Sequence, residues 1–124
     1  MIRRSRRSSH RVAFEATAAR VEAAKDALLA GVPAPRRAPA PLADALHAFE
    51  RGIAEAAVLM DAWRTEATER AWRTCRDALD EAARGAERMR LDAPSLDFES
   101  LVLALGDLIA PLEAFGEADR ALRT

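Results

Sequence analysis

The residues best suited to chemistry are two histidines and the carboxylates near one of them. Asp44 and His47 stand three positions apart, so on a helix they share one face. A helical di-metal centre needs about four carboxylates and two histidines converging from several helices. The second histidine, His10, lies in a different, basic part of the chain. We therefore predict that Asp44 and His47 belong to a solvated helix face and bind no metal.

A second group of carboxylates begins with Glu66 and Glu69, a spacing that binds magnesium in some helical bundles. Such a site needs a second helix whose carboxylates point at the same ion. The C-terminal acids do not have matching spacing, and arginines interrupt the first series. The series therefore indicates an exposed ladder of ion pairs: Glu66, Glu69, Asp77, Asp80 and Glu81.

The sequence also lacks the residue patterns that covalent catalysis and phosphate binding require. Two separated histidines do not support a Ser/His/Asp or Cys/His arrangement. Five scattered glycines cannot form a phosphate-binding loop. Cys75 is the single cysteine and falls on an apolar helix seam, so we predict a small buried side chain. These patterns predict a protein that is not an enzyme and needs no metal or cofactor.

Arginine is concentrated at the N-terminus, where the first eleven residues contain no acid. From Ser95 onward the balance reverses, with six acids against two arginines. We predict a flexible basic arm over residues 1–9, which is either a solvated tail or a contact for nucleic acid or another polyanion. The arm has no aromatic residue for base stacking. The candidate polyanion contacts are Arg3, Arg4, Arg6, Arg7, Arg11, Arg36 and Arg37.

The two tryptophans, Trp63 and Trp72, are the side chains most suited to recognition. They are nine residues apart, so on a continuous helix they point about half a turn away from each other. Either both rings are in the core, or one lies at an interface, where tryptophan is enriched. Met60 adds adaptable apolar surface beside Trp63. We predict an apolar interaction groove around Met60, Trp63 and Trp72.

These residues belong to a proline-free segment, 42–93, framed by Pro41 and Pro94. It carries two apolar seams whose steps alternate between three and four residues, as in helices packed nearly in line. The first seam runs from Leu42 to Ala67 and the second from Trp72 to Ala93, and they do not share a register. We favour one continuous helix that turns opposite faces to different neighbours; the alternative is a break near residues 65–68.

The remaining chain predicts two further helices. One spans about 10–30 and ends near Gly31, and a proline-rich connector follows at 32–41. The last spans about 95–122, with Ser95 as its N-cap and a bend between Gly106 and Pro111.

The predicted fold is therefore all-α, with one domain over residues 10–124 and three helices in an up-down arrangement. Each half of the long middle helix would have only one neighbour within the chain. A homodimer with a four-helix core would supply the missing contacts. The alternative is a compact three-helix monomer whose middle segment bends.

The predicted function is a non-enzymatic protein–protein interaction or adaptor module, coiled-coil-like and homodimeric, which binds a protein partner near the tryptophans. One alternative is an accessory protein that docks on nucleic acid through the arginine arm. Another is a helical bundle that binds a small apolar ligand or coats an apolar surface. No run of eighteen apolar residues exists, so we expect no membrane span and a cytoplasmic location.

Overall fold

Helices are the regular secondary structure of the part of the chain whose structure is described, and no strand occurs there, which confirms the all-α prediction for those residues. A computed structural model describes residues 2–32 and 41–123, with side chains from Ser9 onward except that of Pro94. The predicted connector therefore lies almost wholly outside the described residues. The α-helices are α1 Ile2–Leu29, α2 Leu42–Leu59, α3 Glu69–Asp92, α4 Phe98–Ile109 and α5 Ala114–Arg123, with 3-10 turns at Met60–Trp63, Ala93–Ser95 and Ala110–Glu113.

The first helix begins much earlier than the sequence predicted. It starts at Ile2, so the backbone of residues 2–9 continues α1, whereas the sequence predicted a helix start near residue 10. The flexibility of residues 1–9 stays a prediction. Neither glycine nor proline occurs between Ile2 and Leu29, and arginine is among the better helix formers. Extending an existing helix avoids the cost of nucleating a new one. The end at Leu29 agrees with the predicted end near residue 30.

The predicted 42–93 helix is interrupted in its middle. After α2 the chain forms the 3-10 turn Met60–Trp63, and Arg64 is extended with φ −80° and ψ 116°. The continuous helix that we favoured is therefore wrong, and the alternative of a break near residues 65–68 is confirmed. We call residues 64–68 the hinge.

Two threonines stabilise this break, because the hydroxyl of each accepts a hydrogen bond from the backbone N–H of the other. The Thr65 backbone N–H donates to Thr68 Oγ1 at 2.8 Å, and the Thr68 N–H donates to Thr65 Oγ1 at 3.2 Å. Thr68 Oγ1 also donates to the Trp63 carbonyl at 2.8 Å. Short polar side chains such as threonine bond to nearby backbone groups and so favour turns over continuous helix. The pair therefore stabilises the turn before α3, a segment without glycine or proline.

The break brings both seams into one core. Trp63 and Trp72, which a straight helix would point in opposite directions, both lie in a single cluster of buried side chains. All five helices contribute to that cluster. Burying a large aromatic side chain stabilises a fold by a few kcal/mol, so a conformation that covers both rings is strongly favoured.

Helix α1 packs against α2 along a line of small residues. A Cβ atom added at Gly52 would lie 2.7 Å from the Ala24 Cβ, so the two backbones approach closely there. Arg20 pairs with Glu55 at 2.9 Å, while Gly31 lies beside Ala45 at the other end. Because later residues of α1 meet earlier residues of α2, the two helices run antiparallel.

Helix α3 packs against the C-terminal helices. Gly85 faces Leu108 of α4, and the Cys75 thiol donates to the Ala114 carbonyl at 3.8 Å. Helix α4 is capped by Asp97, whose side chain accepts from the Ser100 N–H at 2.8 Å. The predicted cap was Ser95; its hydroxyl instead donates to the Asp92 carbonyl within the preceding 3-10 turn. The helical path then tightens into a 3-10 turn around Pro111, at the end of the stretch predicted to bend.

Neighbours within the chain cover both halves of the middle segment. Helix α2 contacts α1 and α3, and α3 contacts α2, α4 and α5. Each half of the middle segment therefore has more than the single neighbour that the sequence predicted. Within the described residues, every helix is too short or too polar to cross a bilayer.

Candidate functional site

The three residues of the predicted groove lie in the core. Met60 and Trp63 have no exposed surface, and Trp72 is 8% exposed. The Trp63 indole N–H donates to Thr17 Oγ1 at 3.1 Å, and the Phe14 ring meets the Trp63 ring edge-on at 5.0 Å between centroids. The prediction of an exposed groove around Met60, Trp63 and Trp72 is therefore wrong; the alternative, that both tryptophans are core, describes them.

A charged side chain covers one face of the Trp72 ring. The Arg64 guanidinium lies over the ring at 3.9 Å from its centroid, a cation–π contact. Arg64 also donates to Glu69 at 2.8 Å, and this hydrogen bond raises the pKa of Arg64 and lowers the pKa of Glu69. The Trp72 indole N–H donates to the Met60 carbonyl at 2.9 Å. The contacts of Trp72 with Met60 and Arg64 thus cross the hinge and hold it closed.

The predicted polyanion contacts divide into three groups. The backbone of Arg3, Arg4, Arg6 and Arg7 belongs to α1. Arg36 and Arg37 lie outside the described residues. Arg11 pairs with Glu15 and Asp119 and lies 5.5 Å above the Phe14 ring. The hydrogen bond between Arg11 and Asp119 raises the pKa of the arginine and lowers the pKa of the aspartate. Arg11 is therefore part of the fold, not a free phosphate contact.

The other candidate chemical groups occupy ordinary structural positions. Cys75 is fully buried, as predicted, and burial raises the pKa of its thiol to about 12. Such a thiol holds almost no thiolate at neutral pH, and the thiolate is the reactive form. His47 and Asp44 are both exposed on α2. Over residues 2–32 and 41–123, no three His, Cys, Asp or Glu side chains are grouped as metal ligands would be.

An open cleft of about 280 Å³ lies between α3 and α4. Its apolar floor includes Met89, Leu96 and Leu108, and four of its ten lining residues are charged. Because ligand pockets usually have about 300–1,000 Å³ and are mostly apolar, this cleft does not suit a small apolar ligand. The charged lining residues are Glu81, Arg88, Asp92 and Asp107.

Three of the large apolar side chains that are exposed in the described residues lie together on α4. Phe98 is 59% exposed, Val102 41% and Leu103 70%. At 100° per residue these three positions span an arc of about 140° on the helix, beside the arc of Leu105 and Leu108 that enters the core. We call Phe98, Val102 and Leu103 the α4 surface.

The chain segment that contains this surface is acidic. Residues 91–119 contain seven carboxylates and no lysine, arginine or histidine. Asp97 caps α4 and Asp119 pairs with Arg11. Glu99 and Asp107, which flank Leu103 at four-residue spacing, form no ion pair with other described residues. The α4 surface is therefore apolar with an acidic margin.

Sequence reasoning missed the α4 surface, although the signal was present. Eight of the twelve residues of α4 are apolar, more than one core-facing stripe of a helix requires. Only Leu105 and Leu108 are buried in this helix. The excess apolar residues lie off the stripe that Leu101, Leu105 and Leu108 define. The apolar pattern alone does not separate the exposed residues Phe98, Val102 and Leu103 from the buried ones.

No family model, no curated protein and no solved structure shows significant similarity to this chain.

Proposed function

We propose that this chain is a non-enzymatic helical module that binds another protein through the α4 surface. The observation that carries the proposal is the exposure of Phe98, Val102 and Leu103 on the most apolar helix of the chain. Scattered exposed apolar residues are normal, but a contiguous exposed apolar patch with a polar rim marks interaction sites. The proposed binding site is therefore on α4 and not at the buried tryptophans. The proposed class of function is the one that the sequence predicted.

The acidic margin specifies the chemistry of the partner. Glu99 and Asp107 lie beside Leu103 and have no ion-pair partner among the described residues. Complementary charge steers association and excludes wrong partners. An amphipathic helix with an apolar face and a basic rim would bury the α4 surface and pair with these carboxylates.

A pair of designed peptides tests this proposal directly. One is an amphipathic helix with a leucine face and a lysine rim, and the other replaces every lysine by glutamate. We expect the lysine peptide to bind the full chain at least about tenfold tighter in fluorescence anisotropy. The double variant Val102→Ser/Leu103→Ser should weaken that binding about tenfold or more, because each buried aliphatic side chain contributes 1–2 kcal/mol.

Val58→Ser is the matched control, since Val58 is 79% exposed on α2, away from the α4 surface. It should leave the affinity for the lysine peptide unchanged. Equal binding of both peptides, or equal weakening by Val58→Ser and the double variant, would contradict the proposal.

A second candidate, polyanion binding, is supported by the start of α1. Because α1 begins at Ile2, four arginine positions are placed within about one and a half helical turns. No acid occurs among residues 2–9. Arg11, the fifth member, pairs with Asp119 and is excluded from this set. The set is therefore Arg3, Arg4, Arg6 and Arg7.

Single-stranded DNA of about 20 nucleotides is a suitable probe for this candidate. Binding should weaken steeply with salt, with a slope near 0.7 per phosphate contact, and be lost when the four arginines become glutamine. The control changes four exposed arginines elsewhere, Arg70, Arg73, Arg84 and Arg120, and removes the same charge. If the two quadruple variants lose the same affinity, net charge and not the N-terminus is responsible.

The homodimer remains a prediction of the sequence. The described helices share one core within a single chain, so a dimer is not needed to cover the tryptophans.

A further inference from the structure

We propose that this chain forms a domain-swapped dimer, in which the hinge straightens and the C-terminal half, α3 to α5, packs against α1 and α2 of a second copy. The proposal is independent of the α4 surface. It rests on the backbone of the hinge, the phase of the two seams and the contacts between the two halves.

The hinge contains nothing that forbids a continuous helix. Residues 60–68 include no glycine or proline, and positive φ angles do not occur among the described residues. Met60 and Thr68 already have helical torsions, whereas Arg64 is extended. Rotation about a few bonds near Arg64 would therefore join α2 to α3 as one helix.

One charge pair favours the straight form. Glu66 and Arg70 stand four positions apart, the spacing at which Glu and Arg interact along a helix. In the closed hinge Glu66 precedes α3, and no ion pair joins it to Arg70 within the described chain. Straightening would place the two side chains one turn apart on one face.

The phase of the seams fits a helix that crosses between two cores. In a straight helix the faces of Trp63 and Trp72 point about 180° apart. The α2 half would then enter one core and the α3 half would enter another on the opposite side. A second copy supplies the missing half of each core, which accounts for two good seams that share no register.

The contacts that join the halves can be remade between copies. Phe14 stacks on Phe115 with centroids 6.4 Å apart, and Arg90 pairs with Glu50 at 2.6 Å. A swapped dimer forms the same contacts with the same residues of the second chain, so only the hinge changes its structure. Swapping would remove the contacts that the closed hinge makes: the reciprocal Thr65 and Thr68 hydrogen bonds, the Arg64–Glu69 pair and the bond from the Trp72 indole to the Met60 carbonyl.

Hinge variants test the proposal in both directions after refolding of the full chain at high concentration. Glu66→Pro suits the closed form, because position 66 lies in the turn before α3 and its backbone N–H donates no hydrogen bond to the other described residues. Within a straight helix the same proline clashes with the preceding turn. We expect it to lower the dimer fraction in light scattering at least about tenfold, whereas Glu66→Ala, which removes only the Glu66–Arg70 pair, should lower it about twofold or less.

The variant Thr65→Ala/Thr68→Ala should act in the opposite direction and raise the dimer fraction several-fold. Thr74→Ala is its control, because the Thr74 hydroxyl bonds only to its own helix. The variant Val102→Ser/Leu103→Ser should keep the wild-type dimer fraction. A dimer that resists Glu66→Pro but disappears with the α4 variant is a surface dimer and overturns the proposal. Wild-type protein that remains monomeric after refolding at high concentration also overturns it.

Discussion

At the scale of single residues, Thr17 links the tryptophans to α1. It is the buried polar side chain of the described core, and its hydroxyl accepts from the Trp63 indole N–H and donates to the Ala13 carbonyl at 3.0 Å. The hydroxyl thus satisfies a polar atom that Trp63 brings into the core. The sequence pattern does not single out Thr17, because periodicity reports which face is buried and not which polar atoms meet there.

Replacing Thr17 by valine should destabilise the protein by about 1–3 kcal/mol, because the buried Trp63 N–H loses its acceptor. Thr17→Ser keeps the hydroxyl and should cost less. Urea unfolding measures both, and Trp63→Phe provides the second arm of a double-mutant cycle. If Thr17→Val is as harmful in the Trp63→Phe background as in the wild type, the hydrogen bond does not explain its effect.

Asp119 gives the fold a pH dependence at low pH. The hydrogen bond from Arg11 holds the pKa of Asp119 below its ordinary value of 3.8. A carboxylate with a depressed folded-state pKa stabilises the fold above its unfolded pKa, and that stabilisation is lost as pH falls through the folded value. Asp119→Asn should therefore flatten the loss of stability below about pH 4. The control, Glu117→Gln, removes an exposed carboxylate that forms no ion pair with the other described residues, and urea unfolding at several pH values compares the two variants. A wild-type pH dependence in Asp119→Asn would contradict the role of the Arg11 contact.

At the scale of elements, the sequence predicted helices well and their junctions poorly. Helix α3 ends within one residue of the predicted boundary at 93, because its apolar seam is regular. The break at the hinge was underestimated because Thr65 and Thr68 stabilise it through mutual hydrogen bonds that propensity scales ignore. The α4 surface was missed because exposure depends on which neighbours a helix meets, and one helix pattern does not report its neighbours.

Substitutions at Gly52 and Gly106 allow the effect of close helix packing on stability to be measured separately from the effect of helix propensity. Gly52→Ala would place a Cβ 2.7 Å from the Ala24 Cβ and 3.3 Å from its Cα, so α1 and α2 must move apart. We expect a loss of about 1–3 kcal/mol despite the gain in helix propensity. Gly106→Ala meets nothing within 4 Å and should stabilise by about 0.5–1 kcal/mol. Thermal unfolding compares them, and a stabilising Gly52→Ala would contradict the close α1–α2 contact.

At the scale of the whole molecule, the fold depends on a middle segment that folds back on itself. That reversal gathers both tryptophans into one core, while Phe98, Val102 and Leu103 of α4 stay exposed. It also forms the hinge, which the Thr65 and Thr68 hydrogen bonds stabilise and which would straighten in the proposed domain-swapped dimer. Composition and periodicity established the helices, whereas the choice between a straight and a reversed segment depends on contacts between residues far apart in sequence, such as Trp63 with Thr17.

The most direct test is the distance between spin labels at the exposed positions Arg51 and Glu87 in a Cys75→Ala background, measured by pulsed EPR on dilute protein. In a continuous helix the two positions would be about 54 Å apart, at 1.5 Å per residue. The reversal predicts a single population at about 20 Å, because the nearby Glu50 and Arg90 form an ion pair at 2.6 Å. A dominant distance near 54 Å in monomeric protein would contradict the fold and the functional site argued from it.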